Sequence, residues 1–173
     1  MRILRRLFVV PLANNDHGKT HIMNALLSQG LGRRSPGQKG RRSLRSPWGR
    51  RINSLVFVRS YQETEKNSYG GVVAALEAED GAWMRRELVI MPSHLDVEDV
   101  GEMIDTAHGN GFDAVAASVI LNNREREDYA QCWRQPWDER WNVPNPLTQE
   151  DWEEQVEGLG RDLWTWICQA LSR

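Results

Sequence analysis

The stretch VVPLANNDHGKTHIMNALL, residues 9–27, decides how this chain folds. It opens on the end of an apolar run, LRRLFVVPL at 4–12, which is continuous, not alternating. Such a run suits a strand of a parallel sheet covered on both faces. Pro11 belongs at the strand's end, because it has no N–H to give to a ladder. The stretch closes on GKTHIMNALLSQ at 18–29, where Ile22, Met23, Leu26 and Leu27 recur at helical spacing and Gly30 stops the helix. Between strand and helix lies ANNDHGKT, residues 13–20. A loop in this position aims backbone amides and a helix N-terminus at an anion.

The residue types within the loop fit phosphate. Ala13, Gly18, Lys19 and Thr20 meet the pattern [AG]-x-x-x-x-G-K-[ST]. Gly18 lets the backbone approach closely, Lys19 reaches the terminal phosphates as the catalytic candidate, and the Thr20 hydroxyl ligates Mg²⁺. Asn14, Asn15, Asp16, His17 and His21 complete the expected nucleotide-binding set. The expected cofactors are Mg²⁺ with GTP or ATP.

Working outward, INSLVFVRS at 52–60 reads as a second strand, and 62–79 as a helix weakened by Gly70 and Gly71. ELVIMP at 87–92 reads as a third strand. Val97, Val100, Met103, Ile104 and Ala107 mark a helix over 95–109, and DAVAASVIL at 113–121 a fourth strand. This alternation predicts one α/β domain over 1–173, three-layered, with a mostly parallel sheet. Residues 124–173 are expected to form a Trp-rich C-terminal helical region. In it Thr148 and Asp151 resemble a capping box, and Trp152, Val156, Leu159, Leu163, Ile167 and Ala170 share one face of a closing helix that docks on the sheet.

The string DHGKT, Asp16 to Thr20, resembles the loop of the translational GTPases, the elongation-factor class of phosphate-loop (P-loop) NTPases, whose motif is GHxDHGKT. That family also carries an Asp at the place of Asp16. The resemblance implies a guanine-reading NKxD at the end of a later strand. Asn122 matches its Asn, and Glu125 stands for its Asp, within DAVAASVILNNRE at 113–125. Elsewhere the chain departs from the family. Arg59 and Gln62 occupy the places of the Asp and Gly of DxxG, and no Thr lies between Thr20 and Thr64 to serve as the switch threonine. The strand LVIMPS is similar to one in the partitioning and metallochaperone-like ATPases, although the loop lacks that class's extra lysine. A small-molecule kinase is a third expectation, with Arg124, Arg126, Arg134 and Arg140 as a lid. Neither middle strand ends in an acid, so Glu63 and Asp96 are the nearest candidates for the magnesium shell, and Glu63 is preferred as the metal ligand alongside Thr20.

Net charge is only −2, but residues 1–59 hold 13 Lys/Arg against the single acid Asp16. Eight of these basic residues crowd into 30–51, together with five Gly, two Pro and no acid, which predicts a flexible basic loop. Its expected partner is nucleic acid or an acidic protein surface, with Trp48 as a stacking face. No apolar run is long enough to span a membrane. Cys132 and Cys168 lack metal-ligand spacing, and a reducing, cytoplasmic setting is expected. Six of the eight Trp fall late in the chain. Most are expected in the core, but Trp164 turns away from the apolar stripe and is expected to be exposed, favouring a homo-oligomer or protein partner. The function expected is that of a small nucleotide-binding protein, a switch or weak NTP hydrolase. The alternatives are an interaction protein on a degenerate scaffold, or the kinase.

Overall fold

A computed structural model describes residues 4–14, 18–34, 37–119, 126–143, 145 and 151–173. The strands are β1 (Leu7–Leu12), β2 (Gly40–Arg45), β3 (Arg51–Val56), β4 (Leu88–Ile90), β5 (Asp113–Ser118) and β6 (Glu139–Asn142). The helices are α1 (Lys19–Leu31), α2 (Glu65–Tyr69), α3 (Val72–Glu79), α4 (Val97–Gly109), α5 (Arg126–Trp133) and α6 (Trp152–Ala170), with a 3-10 turn at Trp83–Arg85. The sheet order is β2-β3-β4-β1-β5-β6, and every pairing is parallel except that of β2 with β3.

β1 is central, and all six of its residues are buried. That is why its sequence does not alternate: Leu7 and Val9 face one core, Phe8, Val10 and Leu12 the other. The first core joins β1 to α1 and α6, and the second joins it to α3, α4 and α5, so helices cover both faces. Pro11 sits one residue before the end of β1. Its carbonyl accepts from Ser93 N at 2.9 Å.

The expected parallel α/β sheet is present, with four differences. First, the flexible loop expected over 30–51 contains a strand. α1 runs on to Leu31, and 40–45 pair antiparallel with β3 across a turn at 46–50. Only Leu44 and Gly40 in β2 are buried, because β2 is an edge strand, so apolar periodicity is nearly absent from its sequence. Second, the helix over 62–79 is split in two at Gly70, which adopts φ 72°, and Gly71. Third, the Trp-rich region supplies α5 and β6, short elements without a clear apolar period.

Fourth, two tryptophans of α6 exchange roles. Trp164, expected to be exposed, is buried and donates its indole N–H to the Arg45 carbonyl at 3.2 Å. Trp152, expected in the core, is 39% exposed. The buried face of α6 is wider than a single stripe: Gly160, Trp164 and Cys168 extend it over α1 and toward β2. Thr148 lies outside the described residues, and Asp151 precedes the helix without a side-chain cap bond.

Candidate phosphate-loop site

In a parallel sheet, ligands bind at the carboxyl ends of strands where neighbouring connections leave toward opposite faces. β1 meets that condition. Its connection runs to α1 on one face, and those of its neighbours β4 and β5 run to α4 and α5 on the other. The loop from Ala13 to Gly18 begins at this crevice.

Several of the expected residues are seen here. Gly18 caps α1 in the left-handed region, φ 76° and ψ 12°, where a side chain is strained. Gly18 itself has no side chain to cap α1, whose first amides face the loop. Lys19 is buried, and its ammonium donates to the carbonyls of Ala13 and, at 3.4 Å, Ser93. It therefore bridges the ends of β1 and β4. Thr20 is half-buried on the first turn.

Asn14 holds the crevice together: its Oδ1 accepts from Leu95 N at 2.8 Å, which ties the loop after β1 to the segment after β4. Ala13 N donates to Ser93 O at 3.2 Å. His21 turns elsewhere, edge-on to Trp152 with ring centroids 4.9 Å apart, so it serves the α1–α6 contact. Asn15, Asp16, His17, Asn122 and Glu125 lie outside the described residues.

Residues that the sequence did not single out as a group stand beside the loop. Gln62 Nε2 donates to Ser93 Oγ and to Asp99 Oδ2, both at 2.9 Å, and its Oε1 accepts from His94 N at 3.0 Å. Lys66 completes the network with an ion pair to Asp99 at 2.8 Å, and that hydrogen bond raises the Lys66 pKa. Buried Tyr61 adjoins it. Burial, and then the Glu102 and Asp99 carboxylates, push its hydroxyl up to about 12. The hint in the sequence was position: Gln62 and Ser93 each lie a few residues past an apolar strand.

Of the two residues expected at the metal, Thr20 lies half-buried in the first turn of α1. Glu63 instead directs Oε1 toward His94 Nε2 at 3.5 Å. Asp96, the other nearby acid, caps α4, accepting from Asp99 N at 3.0 Å. Among the described residues no cluster of three His, Cys, Asp or Glu is able to hold a metal by itself. Of the four arginines proposed for a kinase lid, Arg134 and Arg140 have described side chains. Arg140 donates to the carbonyls of Trp133 and Gln135, joining β6 to the end of α5, and Arg134 is exposed. The Arg124 backbone and side chain and the Arg126 side chain are outside the described set.

Both cysteines are buried free thiols, pushed up to about 12 chiefly by burial. Neither is placed as a nucleophile at neutral pH. Among the described residues no helix is long and apolar enough to cross a membrane. No family model, curated protein or solved structure matches the chain.

Proposed function

We propose that this protein is a phosphate-loop nucleotide-binding protein that holds a nucleoside triphosphate with Mg²⁺ in the crevice after β1, and acts as a nucleotide-dependent switch or weak hydrolase. The observation that carries this reading is Lys19. A lysine buried at a helix N-terminus, directly after a left-handed glycine, donates to the backbone carbonyls of Ala13 and Ser93 across the mouth of the crevice. A cation so held gains by turning to phosphate oxygens, because an anionic acceptor adds a Coulombic attraction that a neutral carbonyl lacks. Ala13 and Gly18 through Thr20 would cradle the phosphates, and Thr20 would hold the ion.

GTP is favoured over ATP by the resemblance of DHGKT alone. Weak hydrolysis is favoured over rapid turnover because the strand ends beside the loop carry Ser93 and Gln62, both already hydrogen-bonded, where a catalytic acid is wanted. The Arg140 contacts count against the kinase reading.

Thermal denaturation with GTP, ATP and Mg²⁺ tests the proposal. At about 100 times Kd a ligand adds about 2.7 kcal/mol, and for a chain of this size that raises Tm by about 5–10 °C. The rise is expected for wild type and absent for Lys19→Ala. No rise with any nucleotide, or a rise that survives the substitution, overturns the assignment.

A further inference from the structure

The hairpin of β2 and β3 carries arginines that the described residues leave without an ion pair. Its register sets Arg45 directly opposite Arg51, Ser43 opposite Asn53 and Arg41 opposite Leu55. Residues paired in this way project from the same side of the sheet, and like charges placed opposite one another are unfavourable. The other side of β2 is covered: Leu44 packs in the core with α1 and α6, and Trp164 reaches the Arg45 carbonyl. The side bearing Arg41, Arg45 and Arg51 is open toward the hairpin tip, where Arg45 and Arg51 stand, while Leu55 at its other end is buried in the second core. No β2 residue enters the second core, and Arg41, Ser43, Arg45, Arg51 and Asn53 are all exposed.

Among the described residues none of these three arginines has a side-chain hydrogen bond or ion pair. Asp80, whose charge Arg41 feels at longer range, is already held by Arg86 at 2.7 Å. The neighbouring Arg50 is paired with Glu87, which shows that acids are used on this hairpin where pairing is wanted. At the tip Trp48 is 52% exposed. The turn beneath it is braced: Ser46 Oγ accepts from Arg50 N at 2.9 Å, and Ser46 N donates to the Arg50 carbonyl at 2.8 Å. The indole is thus carried on a fixed base, which lowers the cost of using it.

We propose that this open hairpin face binds single-stranded nucleic acid, with Arg41, Arg45 and Arg51 on backbone phosphates and Trp48 stacking on an unpaired base. Unpaired cations select a polyanion, and an exposed aromatic beside them selects one whose bases are free to stack. The tip lies at the amino end of β3, the opposite end of the parallel strands from the phosphate loop, so the two sites are separable.

Fluorescence anisotropy with labelled oligo(dT) and oligo(rU) 20-mers tests this. Wild type is expected to bind with a salt slope near −2, since each phosphate contact on a single strand contributes about −0.7. Arg45→Gln with Arg51→Gln should weaken binding at least tenfold and flatten the slope to about −0.7. Trp48→Ala should weaken it several-fold with the slope unchanged. Lys19→Ala should leave it unchanged, and circular dichroism melts verify that each variant folds. The proposal is overturned by any of these: no binding by folded wild type, equal binding by the Gln variant, tighter binding of a duplex of the same length, or loss of binding in Lys19→Ala, which would place the polyanion on the phosphate loop.

Discussion

Asp80 shows how much one buried carboxylate is asked to hold. It ends α3 and accepts from Arg86 Nε at 2.7 Å, from a second Arg86 nitrogen at 3.3 Å and from Ala82 N at 3.1 Å. The Arg86 hydrogen bond is the main reason its pKa falls below the ordinary 3.8. A carboxylate depressed in the folded state contributes stability that is complete above its unfolded pKa and is lost as pH falls through the folded value. Asp80→Asn should therefore cost about 1–3 kcal/mol at pH 7. It should also flatten the loss of stability below about pH 4 that wild type shows. Urea unfolding at pH 7 and pH 3 measures both. An unchanged difference between the two pH values would show that the pair is not coupled to folding. Lys19 makes a different use of charge: its ammonium donates to two backbone carbonyls. Its sequence motif was plain, but that its amine bridges β1 and β4 came only with the pairing of those strands.

At the scale of elements, α1 and α6 approach each other more closely than their side chains alone suggest. A Cβ at Gly160 would lie 2.5 Å from Ala25 Cβ and 2.7 Å from the Leu26 backbone nitrogen. Backbone cannot give way as a flexible side chain can, so Gly160→Ala should cost about 1–3 kcal/mol, by overpacking. The melting temperature should fall by about 3–10 °C. A variant melting at or above wild type would mean that the helices have room to separate. This contact also explains which elements were legible in advance. β1, α1, α4 and β5 were, since each is either apolar throughout or apolar on one clear stripe. β2 was not, because an edge strand with a single large apolar residue, Leu44, reads like a loop. The Trp164 and Trp152 exchange was hidden for a related reason: a stripe drawn through one row of α6 does not show that β2 waits beside the next row.

At the scale of the whole molecule, Arg5 ties the sheet's far half to its centre. It precedes β1 and bonds Asp113 at the start of β5 and Glu139 at the start of β6, both at 2.6 Å, and the Ala170 carbonyl at the end of α6. Burial works against the ionised form of Glu139, but the Arg5 and Trp141 hydrogen bonds outweigh it and hold its pKa below 4.5. Arg5→Ala should cost about 2–3 kcal/mol at pH 7, since charge-assisted bonds to two partners are lost. By the same sign as for Asp80, the part due to Glu139 is present above about pH 4.5 and fades as pH falls below it. Chemical unfolding of the variant should thus converge on wild type between pH 5 and pH 3, and parallel curves would argue against the role.

The sequence by itself determined the local code: a buried strand, a loop ending in Gly18, Lys19 and Thr20, an amphipathic helix, and their repetition as a mostly parallel α/β sheet. Apolar period and loop chemistry are properties of neighbours along the chain, and they survive in one dimension. Only the tertiary structure decided that β4 lies against β1, that Asn14 and Lys19 are fastened to the segment after β4, and that His21 turns to Trp152 and Glu63 to His94. It alone brought Arg45 and Arg51 opposite each other on an open face. Those outcomes depend on strand order and register, which set distances between residues far apart in sequence, and no local pattern carries that information.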